Sequence, residues 1–352
     1  MKRFGLLLII GFVIALGSAV FAQVDIKPVI ATEVVEIDAD DPAVWVNRQN
    51  PAKSMVIGTD KGGSLYVFDL DGKIRQRITG LKKPNNVDVE YGCKLGGRNI
   101  DIAVLTEAHA KRLRIYEIAA SGHLTEISGS HTEVFGGKSQ PMGIGLYKRP
   151  ADGSIYAIIS RGSDPGEGVL GQYLLKDDGS GKIDLKEVRI FGHFSGEDTV
   201  EAVAVDDELG YVYYADESTC IRKYSADPDH RTLGKELGTF GEEEYSADRE
   251  GIGLYNLPGG KGYVVCTDQL KNSHYLIYPR EGQTGKPHNH GKAIKTVRGG
   301  ANNTDGIEVV SDSLGPRFPK GALVVMNSNG RNFLIYDWRD IAKTGKPKLN
   351  AR

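Results

Sequence analysis

The sequence predicts an all-β protein, a six-bladed β-propeller whose four-stranded antiparallel blades surround a central channel. Three observations carry this. Helical periodicity is almost absent after residue 23, where short alternating apolar runs stand between turn residues. The 45 glycines suit a chain of many hairpins. A hydrophobic strand centred on an aromatic recurs six times: Leu65-Tyr-Val-Phe68, Leu113-Arg-Ile-Tyr116, Leu170-Gly-Gln-Tyr173, Ile221-Arg-Lys-Tyr224, Tyr275-Leu-Ile-Tyr278 and Phe333-Leu-Ile-Tyr336. The final aromatics are spaced by 48, 57, 51, 54 and 58 residues, and units of that length with about four strands each are propeller blades.

The chain begins Met1-Lys2-Arg3, followed by an apolar run from Phe4 to about Leu16 and then small residues up to Ala22. This pattern predicts a secretory signal peptide over 1–22, cut after Ala22, and hence a secreted or periplasmic protein with no membrane attachment after cleavage. The alternative, a membrane anchor, needs a longer apolar run. No Cys stands near the cut, so a lipid anchor is not supported. The mature chain, 23–352, is long enough for two compact domains or one large all-β domain. The sixfold repeat selects the single domain, and we expect a monomer. Removing Lys2 and Arg3 leaves 42 basic against 46 acidic residues, a charge of −4, with no basic stripe for nucleic acid. Cys93, Cys220 and Cys266 contain no C-x-x-C pair and read as small buried hydrophobes.

A second series runs in phase with the aromatics, where each blade's innermost strand should begin. Its members are Asp40-Asp-Pro-Ala-Val-Trp45, Asn85-Asn-Val-Asp-Val89, Pro141-Met-Gly-Ile-Gly-Leu146, Val200-Glu-Ala-Val-Ala-Val205, Asp248-Arg-Glu-Gly-Ile252 and Thr304-Asp-Gly-Ile-Glu308. Five of the six bring a carboxylate to that point: Asp41, Asp88, Glu201, Glu250 and Asp305. Inner strands lie side by side around the channel, so their beginnings share one rim and the acids should form a ring. A third series marks the end of each second strand, which returns to the same rim: Thr59-Asp60-Lys61, Thr106-Glu107, Ser160-Arg161, Asp216-Glu217, Thr267-Asp268-Gln269 and Asn327.

A lone Asp or Glu before a strand is ordinarily a turn residue. Five at one phase of a sixfold repeat would repel one another, and burying them unpaired is costly. A bound cation relieves both problems. Hard oxygen ligands without His or Cys select calcium over zinc. Gln269, Asn303 and Asn327 can add neutral oxygens. An acid ring repels bare phosphate, but bridging cations reverse the field and can activate water. Lys61 and Arg161, on the same rim, are candidates to clamp phosphate, with solvated surface charge as the other reading of each.

These residues resemble the β-propeller phytase family. Asp38-Ala-Asp-Asp-Pro-Ala-Val-Trp45 and Asn85-Asn-Val-Asp-Val-Glu-Tyr-Gly92 look like its two signature segments. Val200-Glu-Ala202, Ala215-Asp-Glu217, Asp248-Arg-Glu-Gly251, Asp268-Gln269 and Thr304-Asp-Gly306 fall in the expected order. The resemblance implies several calcium ions and hydrolysis of phytate, myo-inositol hexakisphosphate, or other inositol phosphates. It implies that Asp41, Glu201, Glu217, Glu250 and Asp305 bind the catalytic-site calcium, with Asp40, Asp248 and Gln269 nearby. Glu217, Glu201, Asp305 and Lys61 would be catalytic, with Glu217 placing the attacking water. Lys61, Asn86, Asp88 and Arg161 would contact substrate. The chain departs from better-known members in three places. Thr106-Glu-Ala-His109 stands where an Arg is usual, with Lys111 or Arg112 as candidate substitutes. Met142 replaces a Tyr, and Ser160-Arg161-Gly162 replaces a Lys-Glu pair.

Other motifs fail on their own terms. Gly136-Gly-Lys-Ser139 is similar to the end of a nucleotide-binding loop, but Thr132 stands where the leading Gly is required. No Gly-x-Ser-x-Gly elbow exists for an α/β-hydrolase. His288-Asn-His290 falls in an expected outer hairpin and reads as a solvated loop. Asp164-Pro-Gly-Glu-Gly168 reads either as a rim loop that orders on substrate or as a plain connection. Two further functions stay open on sequence: a calcium-dependent lactonase-like propeller hydrolase, and a non-catalytic propeller that binds a protein or glycan.

Overall fold

The computed structural model describes residues 24–162, 166–232 and 234–352. The expected signal segment 1–22 and residues 164 and 165 of the rim loop lie outside the described residues. Six antiparallel sheets form the six expected blades. Their inner strands are Ala39–Trp45, Pro84–Leu95, Pro141–Lys148, Val203–Asp206, Ile252–Leu257 and Ile307–Val310. The second strands end at Asp60, Glu107, Arg161, Asp216, Asp268 and Asn327, as the third series requires.

The six recurring aromatics all lie in third strands and are at most 3% exposed. Each ring fills the wedge between two blades. Four of the hydroxyls also tie down the chain arriving from the preceding blade. Tyr173 Oη accepts from Phe135 N at 2.8 Å, and Tyr224 Oη accepts from His193 N at 3.1 Å. Tyr278 Oη donates to Glu244 and Tyr336 Oη to the Gly299 carbonyl. A buried tyrosine hydroxyl needs such a partner, so the repeat records both packing and tethering.

Six apolar clusters occupy the wedges between neighbouring blades, including the one between blades 6 and 1. That closing wedge holds Val56 and Phe68 of blade 1 against Val324 and Phe333 of blade 6. The sequence pattern left the closure itself invisible. The outer strand of blade 6 is Ile30–Ala31, from the start of the described chain, and Val24–Asp25 adds a fifth, parallel strand to blade 5. Among the described residues one short α-helix, Trp338–Lys343, departs from the all-strand expectation. Asp337 caps it by accepting from Arg339 N, and Trp338 stacks on Tyr255 with ring centroids 3.8 Å apart. Among the described residues no helix is long and apolar enough to cross a membrane. All three cysteines are free and buried, as expected.

Candidate functional site

The first three inner strands begin with a register shift: between Ala39 and Pro42, Pro84 and Val87, and Pro141 and Ile144. A bulge places consecutive residues where strict alternation would turn one away. So Asp40 and Asp41, and likewise Asn85 and Asn86, crowd the same mouth. Second-strand hydroxyls hold these bulges. Thr59 Oγ1 accepts from Asp41 N at 3.0 Å, Thr106 Oγ1 from Asn86 N at 3.1 Å, and Ser160 Oγ from Gly143 N at 2.9 Å.

Lys61 stands at the centre of the mouth. Its ammonium is 2.7 Å from Asp40, 3.5 Å from Glu201 and 3.6 Å from Asp305, joining blades 1, 4 and 6. Asp305 Oδ1 also accepts from Gln269 Nε2 at 2.6 Å, and Glu201 Oε2 accepts from Asn85 Nδ2 at 3.4 Å. Beside them Glu217 Oε1 accepts from Thr199 Oγ1 at 2.8 Å and from Glu201 N at 3.0 Å. Asp248 accepts from Ser218 Oγ at 3.5 Å. Gly306 shows how tightly the rim closes, since a Cβ there would meet Asp41 Oδ1 at 2.0 Å.

The field at this mouth is that of crowded, poorly solvated acids. Burial raises Asp40 well above the usual carboxylate range, Glu201 and Asp305 raise it further, and Lys61 opposes them. Burial likewise raises Asp41 and Asp305. Glu217 is pushed up to about 8 by burial, with Glu201 adding to it. Glu250 is pushed up to about 10 by burial, then by Glu217, Asp305 and Glu201. Burial alone would lower Lys61, but the three carboxylates outweigh it and hold the ammonium charged. These acids must either keep protons or gather cations.

The donor set suits a hard cation. It is all oxygen, and two of its atoms are buried with no partner: Asp40 Oδ2 and Asn85 Oδ1. Among the described residues, no three Asp, Glu, His or Cys side chains already form a closed metal cage. The carboxylates converge on Lys61 instead.

Other expected site residues make their contacts away from Lys61. Asp88 sits deeper in the channel, where its Oδ2 accepts from Leu146 N at 2.7 Å and burial pushes it up to about 7. It shares a channel of about 170 Å³ with Asp41, Asn86, Glu250 and Glu308. Arg161 ends its strand with the guanidinium 5.4 Å from the Phe135 ring centroid. It is the one blade 3 side chain proposed for the site, and no ion pair joins it to the acid cluster among the described residues. Asn327 Oδ1 accepts from Asn302 N, and its amide donates to Asn332. Arg112 Nε donates to Glu107 Oε2 at 2.7 Å, and Met142 is buried. His290 is no solvated loop residue either: it is 1% exposed, with its ring 3.2 Å from Lys223 Nζ.

The acids that end the second strands belong to the scaffold. Asp60 accepts from Asp38 N, Glu107 from Lys82 N, Asp216 from Ser195 N and Asp268 from Ala247 N, each clamping the chain that leads into its own blade. Sequence reasoning also passed over Thr199 and Arg249, which hold Glu217. Arg249 lies inside the in-phase segment Asp248-Arg-Glu-Gly-Ile252 and Thr199 just before Val200, but neither is a carboxylate, so the pattern of acids does not mark them.

The Phytase family model matches this chain over residues 14–350. The chain is 33% identical over 316 residues to a 3-phytase of Bacillus subtilis (strain 168), spanning 87% of this chain and 80% of that protein. Among solved structures, a BBS1N chain crystallised with ARL6DN and soaked with lead is 7% identical, covers 84% of this chain and 75% of that one, and has a TM-score of 0.48. The Cps50 (Swd1) β-propeller domain of Myceliophteria thermophila is 10% identical, covers 85% and 83%, and also scores 0.48. Neither structural likeness bears on function.

Proposed function

The chain belongs to the phytase family, and we propose that its acid-lined mouth is where it releases phosphate from phytate and related inositol phosphates. It is a phosphoric monoester hydrolase. The observation that carries the placement is the convergence of Asp40, Glu201 and Asp305 on Lys61, with Glu217 alongside. Family membership favours this reading over the lactonase-like and non-catalytic ones.

Asp41, Glu201, Glu217, Glu250 and Asp305 would hold calcium, with Asp40, Asp248 and Gln269 nearby. Bound calcium would neutralise the acids and polarise phosphate oxygens. The chain's own groups then have defined tasks. Lys61 offers its ammonium to a phosphate oxygen as charge develops there. Glu217 has one oxygen pinned by Thr199 and Glu201 N, which leaves Oε2 to take a proton from the attacking water. The water oxygen bonds to phosphorus as the phosphorus–ester oxygen bond breaks, and the leaving inositol oxygen takes the proton, returned from Glu217 or from solvent, to become a hydroxyl as inorganic phosphate is formed. Arg161 is the candidate contact for a neighbouring phosphate. Secretion after removal of 1–22, and a monomeric state, complete the proposal.

The test is phosphate release from phytate by folded protein, first with calcium and then with excess chelator. We expect release that chelation abolishes. No release in either condition would reject the reading. Glu217→Gln keeps the shape and removes the proton acceptor, so kcat should fall on the order of 100-fold.

A further inference from the structure

We infer that Arg249 is a positioning residue for the reaction: it fixes Glu217 in place from the neighbouring blade. The inference rests on the proposed phosphate release. Glu217 follows the strand Tyr211–Asp216 and belongs to the turn of a hairpin, where sheet pairing no longer constrains the backbone. Its own N–H reaches only the Thr199 carbonyl, at 3.3 Å. Thr199 Oγ1 and Glu201 N pin the side chain, and the remaining hold on the backbone comes from Arg249, which donates twice to the Glu217 carbonyl, from its backbone N at 3.3 Å and from Nη1 at 2.8 Å.

The rest of the guanidinium ties this turn to the loop before blade 5. Nε and Nη2 donate to the Gly241 carbonyl at 3.0 and 2.7 Å, and Nη2 also reaches the Glu242 carbonyl at 3.2 Å. The group is 4% exposed and lies 4.4 Å from the Tyr245 ring centroid. Its hydrogen-bond partners are all carbonyl oxygens, so the charge is spent on backbone geometry. In the chain Arg249 stands between Asp248 and Glu250, so one side chain fixes the relation of three mouth acids on two blades. The planar fork holds the Glu217 and Gly241 carbonyls with donors fixed in one plane, whereas an ammonium is a compact point charge on a flexible stem without that fixed geometry. Misplacing a reacting group by about 1 Å can cost about 100-fold in rate.

The experiment compares Arg249→Lys and Arg249→Met with wild type in phytate hydrolysis and melting temperature. Lys295→Met is the structural control. Lys295 is 1% exposed and donates at 2.6 Å to the Ile341 carbonyl in the C-terminal helix, so it is buried but remote from the mouth. We expect Arg249→Lys to lower kcat by about tenfold or more, leave KM within about threefold, and shift the pH profile of kcat. Arg249→Met should do the same or more. Lys295→Met should melt lower with kcat unchanged. If Arg249→Met does not fold, the Arg249→Lys result decides. An Arg249→Lys kcat within about twofold of wild type, or a loss confined to KM, would overturn the inference. A wild type that releases no phosphate would remove the proposed function and this inference together.

Discussion

The two ends of the channel neutralise their acids by different means. At the mouth, Lys61 lies among Asp40, Glu201 and Asp305. Farther along the inner strands, Glu90 and Asp207 face each other with Lys148 near them. Burial, then Asp207, pushes Glu90 up to about 8, while the Tyr91 N–H and Lys148 oppose the rise. Burial pushes Asp207 up to about 6, opposed by the Lys148 N–H and by a hydrogen bond from Glu90. A protonated Glu90 thus donates to an ionised Asp207. The folded value of Glu90 lies above its unfolded value near 4.5. Its stabilising contribution is therefore fully present below about pH 4.5 and is lost as pH rises through about 8. Glu90→Gln keeps a donor toward Asp207 and cannot ionise. Its melting temperature should vary less than that of wild type between pH 5 and 9. At pH 9 the variant should be the more stable, by on the order of 2 kcal/mol. Parallel melting curves across that range would show that Glu90 ionises without cost.

At the scale of the element, the hydroxyls that end the second strands do two jobs. Thr106 Oγ1 accepts from Asn86 N within its blade and donates to the Met142 carbonyl of the next blade at 2.6 Å. Ser160 repeats this, accepting from Gly143 N and donating to the Val200 carbonyl. Thr106→Val conserves shape and strands both partners in a site that is 0% exposed, so it should cost about 1–3 kcal/mol. Urea unfolding with an unchanged m-value would measure it, and an unchanged midpoint would refute it. The fold was legible because each aromatic third strand repeats at blade spacing, a local signal. The acids at the start of the inner strands were legible for the same reason. Asp60, Glu107, Asp216 and Asp268 carried the same phase, yet they clamp backbone, because sequence does not reveal which way a rim side chain turns. The bond from Arg112 to Glu107 likewise depends on how two rim side chains turn. The strand Ile30–Ala31 pairs with residues 334 and 335 across nearly the whole chain, beyond any local pattern.

Across the whole molecule, that pairing is what makes a ring of the six blades and brings the acids of blades 1, 4, 5 and 6 to one opening. Blade contacts hold the ring from the side. Arg280, 0% exposed, pairs with Asp206 at 2.5 Å between blades 5 and 4. At the mouth, closure works against burial and repulsion, since burial first, and then Glu217, Asp305 and Glu201, push Glu250 up. In the unfolded chain these carboxylates are far apart in sequence and do not meet. A divalent cation that gathers them therefore binds the folded ring and not the open chain, and it stabilises by mass action. At a calcium concentration about 100 times the dissociation constant, one such ion adds about 2.7 kcal/mol. The melting temperature should rise by several degrees from chelator to calcium. Magnesium should do less, because it demands a rigid octahedron that loops from four blades do not offer. Replacing Glu250 with Gln should shrink the calcium-dependent rise and raise the melting temperature in chelator, since Glu250, pushed up to about 10, must take up a proton on folding at neutral pH and Gln need not. A melting temperature that ignores both chelator and Glu250→Gln would mean that Lys61 and retained protons already balance the mouth, and that calcium has no part in closing the ring.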